Sequence, residues 1–219
     1  MKSREQNQSE YILYIYGAGG HGKVVLEAAI SDKYPIKGFL DDDSNKWNWK
    51  IIGYPVFGNL SYFDTLDKNK VRIVVAVGNN SLRKTKVIEF SKKNFGYQSV
   101  IHRKAVVSEF SSLGDGSMVI AGAIINIDTH IGDHVIINTG ATVDHDCLIQ
   151  DFVHIAPGVH MGGEVQVGEG TLVGIGSVVK PGVKIGAWSI IGAGAVVTSN
   201  IPDRVVAVGV PARVIREIK

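Results

Sequence analysis

The sequence predicts two units: an α/β domain with an open parallel sheet, followed by a parallel β-helix made of hexapeptides. Two observations predict the β-helix. Every sixth residue from Val107 onward (Leu113, Val119, Ile125, Ile131, Ile137, Val143, Ile149, Ile155, Met161, Val167, Val173, Val179, Ile185, Ile191, Val197) is aliphatic or Met, sixteen positions in all. Four residues after each comes a small or β-branched one, among them Ser117, Ala123, Thr129, Cys147, Thr171 and Ser189. Helices repeat their apolar face with a period of 3.6 and strands with a period of 2, so neither generates this pattern. Three short flat faces closing a triangular coil of about 18 residues do generate it. Sixteen hexads amount to a little over five coils. The third observation, strands alternating with helices before residue 102, predicts the α/β domain.

The elements of that domain read in order. Tyr11–Tyr16 is a short apolar run of the kind found in a buried parallel strand. A glycine-rich turn, Gly17 to Gly22, leads into a helix over Lys23–Ile30. Ile36–Leu40 is a second strand, running into Asp41, Asp42 and Asp43. Residues 44–59 form a loop with a short strand around Ile51–Val56, and Leu60–Leu66 a short helix. Val71–Val77 is a buried strand ending at Gly78-Asn79-Asn80. Ser81–Asn94 is a helix capped by Ser81 or Asn80, and Gln98–Ile101 is the last strand of the sheet. The division is therefore a flexible tail over 1–10, an α/β domain over 11–102 and a β-helix with a C-terminal cap over 103–219. Pro202 breaks the hexad pattern, and a Gly-x-Pro-Ala turn at Gly209–Ala212 covers the open end of the last coil.

Composition narrows the function. The chain has 219 residues, 45% of them hydrophobic, with a net charge of +2, so it has material for a core and no basic excess for nucleic acid. No apolar run approaches the roughly 18 residues of a membrane span. The single cysteine, Cys147, falls on a small interior position of the coil and reads as packing, which fits a reducing, cytoplasmic setting.

Gly17-x-Gly19-x-x-Gly22 matches a dinucleotide fingerprint, with acidic residues about 20 positions later. Glycines let a phosphate approach the backbone, and a helix N-terminus offers it free N–H groups. A domain of this size holds one mononucleotide half, so a nucleotide or nucleotide-sugar fits better than NAD. A tight turn without ligand would show the same glycines. Asp41, Asp42 and Gly78 end strands at the same carboxyl edge, where open α/β sheets bind ligands. The two carboxylates suit a base or ribose, or a solvated acidic turn.

None of the histidines in the repeat occupies an inward position, so all face outward or sit at corners. His145 stands between Asp144 and Asp146, and a neighbouring carboxylate orients an imidazole and raises its basicity. Asp128, Asp146 and Glu164 share one phase and stack on adjacent coils. His154 lies half a coil beyond His145, so a site using both is completed between prisms, with three-fold association as the natural geometry. A zinc site between prisms would need three convergent imidazoles, and no spacing forces one; no metal is expected.

At these motifs the chain resembles the bacterial sugar acetyltransferases of the PglD/NeuD type, which join a Rossmann-like domain to a left-handed β-helix. The resemblance runs from Tyr11 to Arg213. It is carried by Tyr16-Gly-Ala-Gly-Gly-His-Gly-Lys23, Phe39-Leu-Asp-Asp42, Val77-Gly-Asn-Asn80, Asn138-Thr-Gly-Ala-Thr-Val-Asp-His-Asp146, Phe152-Val-His-Ile155 and Val208-Gly-Val-Pro-Ala212. It implies acetyl-CoA as donor, the amino group of a nucleotide-linked sugar as acceptor, and a homotrimer. It further implies His145 as the catalytic base supported by Asp146, where many members carry the longer Glu. His154 would contact acetyl-CoA, with Gly163, Ile175 and Ala193 along the coenzyme groove. Gly19, Gly20, His21, Asp41, Asp42 and Gly78 would bind the nucleotide-sugar.

The reading that follows is N-acetylation of a 4-amino-4,6-dideoxy sugar on a nucleotide, UDP first, for surface glycan synthesis. GDP-perosamine as acceptor, or O-acetylation of a sialic acid, stays within the same chemistry. A non-catalytic nucleotide-sugar-binding module is the alternative of another class.

Overall fold

The computed structural model describes residues 11–219, so the tail expected over residues 1–10 lies outside the described residues. The α/β domain has β1 (Ile12–Tyr16), α1 (Gly20–Ser31), β2 (Ile36–Leu40), the small hairpin β3 (Lys50–Ile51) and β4 (Tyr54–Pro55), β5 (Val71–Val75), α2 (Asn80–Ser91) and β6 (Gly96–Tyr97). Its parallel sheet has the order β2-β1-β5-β6. β1 and β5 are nearly continuous apolar runs because they are covered on both sides. The expected strand around Ile51–Val56 is that hairpin, and the expected helix over Leu60–Leu66 is a 3₁₀ turn, Leu60–Thr65. α2 is capped one residue earlier than expected: the Asn79 side chain accepts from Leu82 N–H at 2.9 Å.

Gln98–Ile101 does not close this sheet. β6 takes the edge beside β5, and Val100–Ile101 pairs with Met118–Val119 of the β-helix. The coil therefore begins before Val107 and makes about six turns. Each turn carries three short parallel strands, stacked into faces of eight, six and five strands. The eight-stranded face ends in an antiparallel hairpin of Val205–Val208 and Arg213–Glu217, which caps the last coil.

The hexad logic is visible in burial. The aliphatic positions from Val119 to Val197 are at most 4% exposed, and the small positions from Ser117 to Ala195 at most 5%. Buried hydroxyls at the small positions are paired across coils: Thr129 Oγ1 with Asp144 O at 2.6 Å, Thr171 Oγ1 with Gly186 O at 2.6 Å, and Ser177 Oγ with Gly192 O at 2.9 Å. From Gly116 to Gly194 each hexad turns its corner through a left-handed residue. Glycine fills many of these corners, yet Asp128, His134, Asp146, Phe152, Glu164 and Trp188 hold φ between 55° and 62° at others.

The α/β domain lies against the eight-stranded face. α1 and β1 share one apolar core with Val100, Met118, Ile120 and Ile136 of that face. This explains why two histidines of the coil point outward and are nevertheless covered. His134 is 5% exposed beneath Tyr97 and Phe152, and His154 is half-buried opposite His21.

Candidate active site

The glycine loop divides into structural and open members. Gly17 turns at φ +109° under Ala76, and Gly22 packs against the Gly17 carbonyl, so a side chain at either collides with backbone. Gly19, the N-cap of α1, and Gly20 face open space, as does Gly78. These three expected nucleotide-sugar residues therefore offer bare backbone at the carboxyl edge of the sheet. Asp41 is more committed than its position suggested. Its Oδ2 accepts from Ala18 N–H at 2.8 Å and from Lys46 Nζ at 3.0 Å, while Oδ1 accepts from Asp43 N–H at 2.9 Å. Asp41 thus fixes the glycine loop to the acidic turn. Asp42 pairs with Lys86 at 2.8 Å and accepts from the Tyr16 hydroxyl; despite partial burial, these bonds hold its carboxyl below the usual range.

A cavity of about 700 Å³ opens between the α/β domain and the coil. His21, Gly78, His154, Ile175 and Ala193 all line it, so it gathers residues expected for both substrates. The His154 Nδ1 lies 3.3 Å from Gly78 O and its Nε2 3.0 Å from Asn138 Nδ2. The only tautomer satisfying both is neutral, with Nδ1–H donating to Gly78 and Nε2 accepting from the amide. Burial, with help from the charge of Arg83, pushes its pKa down to about 3. His21 is likewise pushed down to about 4 by burial, and among the described residues its Nε2 has no hydrogen-bond partner. A buried orphan nitrogen facing a cavity is available to a ligand. Asn138 also lines this cavity and was not singled out from sequence. It occupies a position that holds Ile, Ala or Gly on the neighbouring coils (Ile120, Ala156, Gly174, Gly192), and that substitution was the readable sign.

His145, Asp146 and Gly163 do not line this cavity. They stand at the next corner, between the six- and five-stranded faces. The left-handed backbone of Asp146, φ +58°, curls its carboxylate back so that Oδ2 meets His145 Nδ1 at 2.7 Å. Asp144 Oδ1 accepts the His145 N–H at 2.9 Å and is itself held by Asn126 Nδ2 at 2.8 Å. The hydrogen bond to Asp146 raises the His145 pKa above its ordinary value against the opposing cost of desolvation, and the charges of Asp144, Asp146 and Glu164 add to the rise. Gly163, one coil on, lies beneath the imidazole and leaves room for it. Cys147 is buried, its Sγ 3.3 Å from Gly162 O, and burial pushes its pKa up to about 11. Among the described residues no group of three or more His, Cys, Asp or Glu side chains is arranged to hold a metal ion. No helix among them is long and apolar enough to cross a membrane.

The sequence model of the PglD N-terminal domain matches residues 12–90, and that of the bacterial transferase hexapeptide (six repeats) matches residues 164–199. A mutant of the GDP-perosamine N-acetyl transferase from Caulobacter crescentus, solved with CoA and GDP-perosamine, is 39% identical with a TM-score of 0.89, over 94% of this chain and 97% of that one. The chain belongs to the PglD/NeuD-type family of bacterial sugar acetyltransferases. The acetyltransferase domain of PglB from Neisseria gonorrhoeae, in complex with acetyl coenzyme A, is 37% identical at a TM-score of 0.88, covering 93% of this chain and 98% of that chain. WeeI from Acinetobacter baumannii is 28% identical at 0.86, over 94% of this chain and 100% of that one. This PglD/NeuD-type chain is accordingly an acyltransferase with a left-handed β-helix.

Proposed function

We propose that the protein transfers the acetyl group of acetyl-CoA to the 4-amino group of a nucleotide-linked 4-amino-4,6-dideoxy sugar, with His145 as general base, in the cytoplasm. The observation that carries this reading is the His145–Asp146 pair. With Nδ1–H donated to Asp146, the Nε2 lone pair is directed outward and its basicity is raised. The amine nitrogen attacks the thioester carbonyl and forms the amide C–N bond. His145 Nε2 takes the proton, the C–S bond breaks, and the proton passes to the departing CoA sulfur. Among the described residues no backbone carbonyl accepts the Gly163 N–H, which suits it to the oxyanion beside that base. Cys147 is interior and protonated, so no acyl-enzyme is needed.

The cavity with His154, Ile175 and Ala193 holds the coenzyme, and Gly19, Gly20, His21, Asp41, Asp42 and Gly78 bound the nucleotide-sugar. That cavity and the His145 corner flank the six-stranded face, one on each side. Val106, Ile124, Val178 and Val196 lie outward along that face, with Val106 and Val178 61% and 43% exposed. These residues flank the polar Thr142–His160 pair at the middle of the face, and turning the face toward a three-fold axis brings the His145 corner of one prism to the cavity corner of the next. A homotrimer therefore completes the site.

UDP is the first reading for the nucleotide. The C. crescentus complex with GDP-perosamine, at 39% identity, favours GDP as the second. A CoA-release assay with UDP- and GDP-linked 4-amino sugars and their 4-hydroxy analogues tests both. Release with one 4-amino sugar alone supports the proposal and names the base. Release with a 4-hydroxy sugar or a sialic acid would replace N- by O-acetylation, and silence without acetyl-CoA binding would favour the non-catalytic module.

A further inference from the structure

Arg83 is the largest fully buried side chain, and among the described residues no carboxylate pairs with it. Burial alone pulls its pKa down to about 9. Burying a lone cation costs several kcal/mol unless its donors are well satisfied, and here backbone carbonyls satisfy them. Nε donates to His134 O at 2.9 Å, Nη1 to Val77 O at 2.8 Å, and Nη2 to Phe152 O at 2.6 Å with a longer approach to Val153 O at 3.4 Å. Only a rigid planar fork reaches carbonyls in three directions at once. Its neighbours on the same face of α2 act alike: Asn80 Nδ2 donates to Gly170 O at 2.9 Å, and Lys84 Nζ meets Glu169 at 2.6 Å. One helix face is thus fastened to three successive coils at one corner.

The identity of the acceptors matters. Val77 immediately precedes Gly78, and Phe152 and Val153 immediately precede His154. Gly78 O and His154 Nδ1 are themselves 3.3 Å apart. A closed ring results, running from Arg83 through Val77 and Gly78 to His154, then back through Val153 and Phe152. We propose that Arg83 is a positioning residue for acetyl transfer: by tying Val77 to Phe152 and Val153 it sets Gly78 against His154, and so keeps the nucleotide-sugar half of the cavity in register with the coenzyme half. The inference rests on the acetyltransferase reading above. Its charge acts in the same direction, disfavouring protonation of both His21 and His154.

The test uses the full chain with Arg83→Met and Arg83→Lys, each first shown to be folded by circular dichroism. Two quantities are read: kcat and KM for each substrate, and the His154 tautomer by ¹⁵N–¹H NMR without ligand. A misplacement of about 1 Å costs on the order of 10²-fold in rate. The expected result for Arg83→Met is a loss of that order in kcat and a mixture of tautomers in place of the single Nδ1–H form. Arg83→Lys keeps the charge without the fork and falls short of the wild type in both. Added guanidinium partly restores kcat in Arg83→Ala. A single Nδ1–H tautomer and wild-type kcat in Arg83→Met would overturn the proposal; if that variant does not fold, the same result in Arg83→Lys overturns it. If the wild type itself transfers no acetyl group, the functional reading falls, and the tautomer measurement alone decides whether Arg83 sets the Gly78–His154 contact.

Discussion

Gly163 lies directly beneath the His145 ring: a methyl group on its Cα would stand 2.6 Å from Nε2 and nearer still to Cε1. The backbone at Gly163 is not left-handed, so alanine fits there apart from this contact. The imidazole is half-exposed and free to swing outward. Gly163→Ala is therefore expected to change stability by no more than about 0.5 kcal/mol, as surface changes usually do. It displaces the base, so kcat falls toward the roughly 10²–10⁴-fold loss expected of removing it. Thermal unfolding beside steady-state kinetics checks both halves. Wild-type turnover would show that His145 need not lie over Gly163.

Asp146→Asn tests the base by its pH dependence. A general base works unprotonated, so kcat/KM rises with pH through the His145 pKa and is flat above it. Asp146 is the first cause raising that pKa, and Asn removes the charge while keeping an acceptor for Nδ1–H. The acid limb is expected to move to lower pH, toward the ordinary value of about 6.5. The plateau falls as well, because the base is weaker. An acid limb that stays in place after this substitution would mean that another group titrates.

How far the sequence could be read depends on range. The interior of the coil was legible because Val119 and Ile137 obey the same six-residue rule as Ile185 and Ile191, and that rule is local. The left-handed corners were harder to see. Glycine marks many of them, but His134, Asp146 and Phe152 occupy others, so the pattern is broken by the residues that matter for the site. Val100–Ile101 read correctly as a strand, yet nothing in a two-residue apolar pair says which sheet will accept it. The ring through Arg83 was invisible for the same reason: its acceptors lie 51 and 69 residues away in the chain. His145 and Asp146 were legible because the pair is adjacent. The cavity that unites His21 with His154 required the docking of two units.

Cys147 separates direct transfer from a covalent route. Its thiol is buried, donates to Gly162 O and is pushed up to about 11. Thiolate is the reactive form, so the native protein is expected to resist iodoacetamide near neutral pH and react only after unfolding. Cys147→Ala should transfer acetyl at the wild-type rate, with a stability loss of about 1 kcal/mol for the lost packing. Mass analysis after incubation with acetyl-CoA should show no added acetyl group. An acetylated Cys147, or an inactive but folded alanine variant, would require a covalent mechanism.

His134 predicts how the protein behaves in acid. Its ring stacks on Phe152 with centroids 5.3 Å apart and meets Tyr97 edge-on at 4.5 Å. Its Nδ1 is buried with no hydrogen-bond partner among the described residues, and burial pushes its pKa down to about 4. His21 and His154 are lowered as well, to about 4 and about 3. An unfolded imidazole takes a proton near pH 6.5, whereas these folded ones do so only near pH 4 or below. Between those values the unfolded chain binds more protons, so stability is full above about pH 7 and declines as pH falls through that window. His134→Phe removes one of the three titrations and the orphaned nitrogen while keeping the stack. Aromatic side chains are already compatible with this corner, since Phe152 and Trp188 hold the same left-handed backbone at φ 58° and 55°. The variant is expected to be at least as stable as the wild type at pH 7 and to lose less of its melting temperature between pH 7 and pH 5. Thermal unfolding of both proteins at pH 7, 6 and 5 gives the two slopes. Equal slopes would mean that His134 takes up its proton alike in the folded and unfolded chains, and that its site is wetter than the Tyr97–Phe152 enclosure implies.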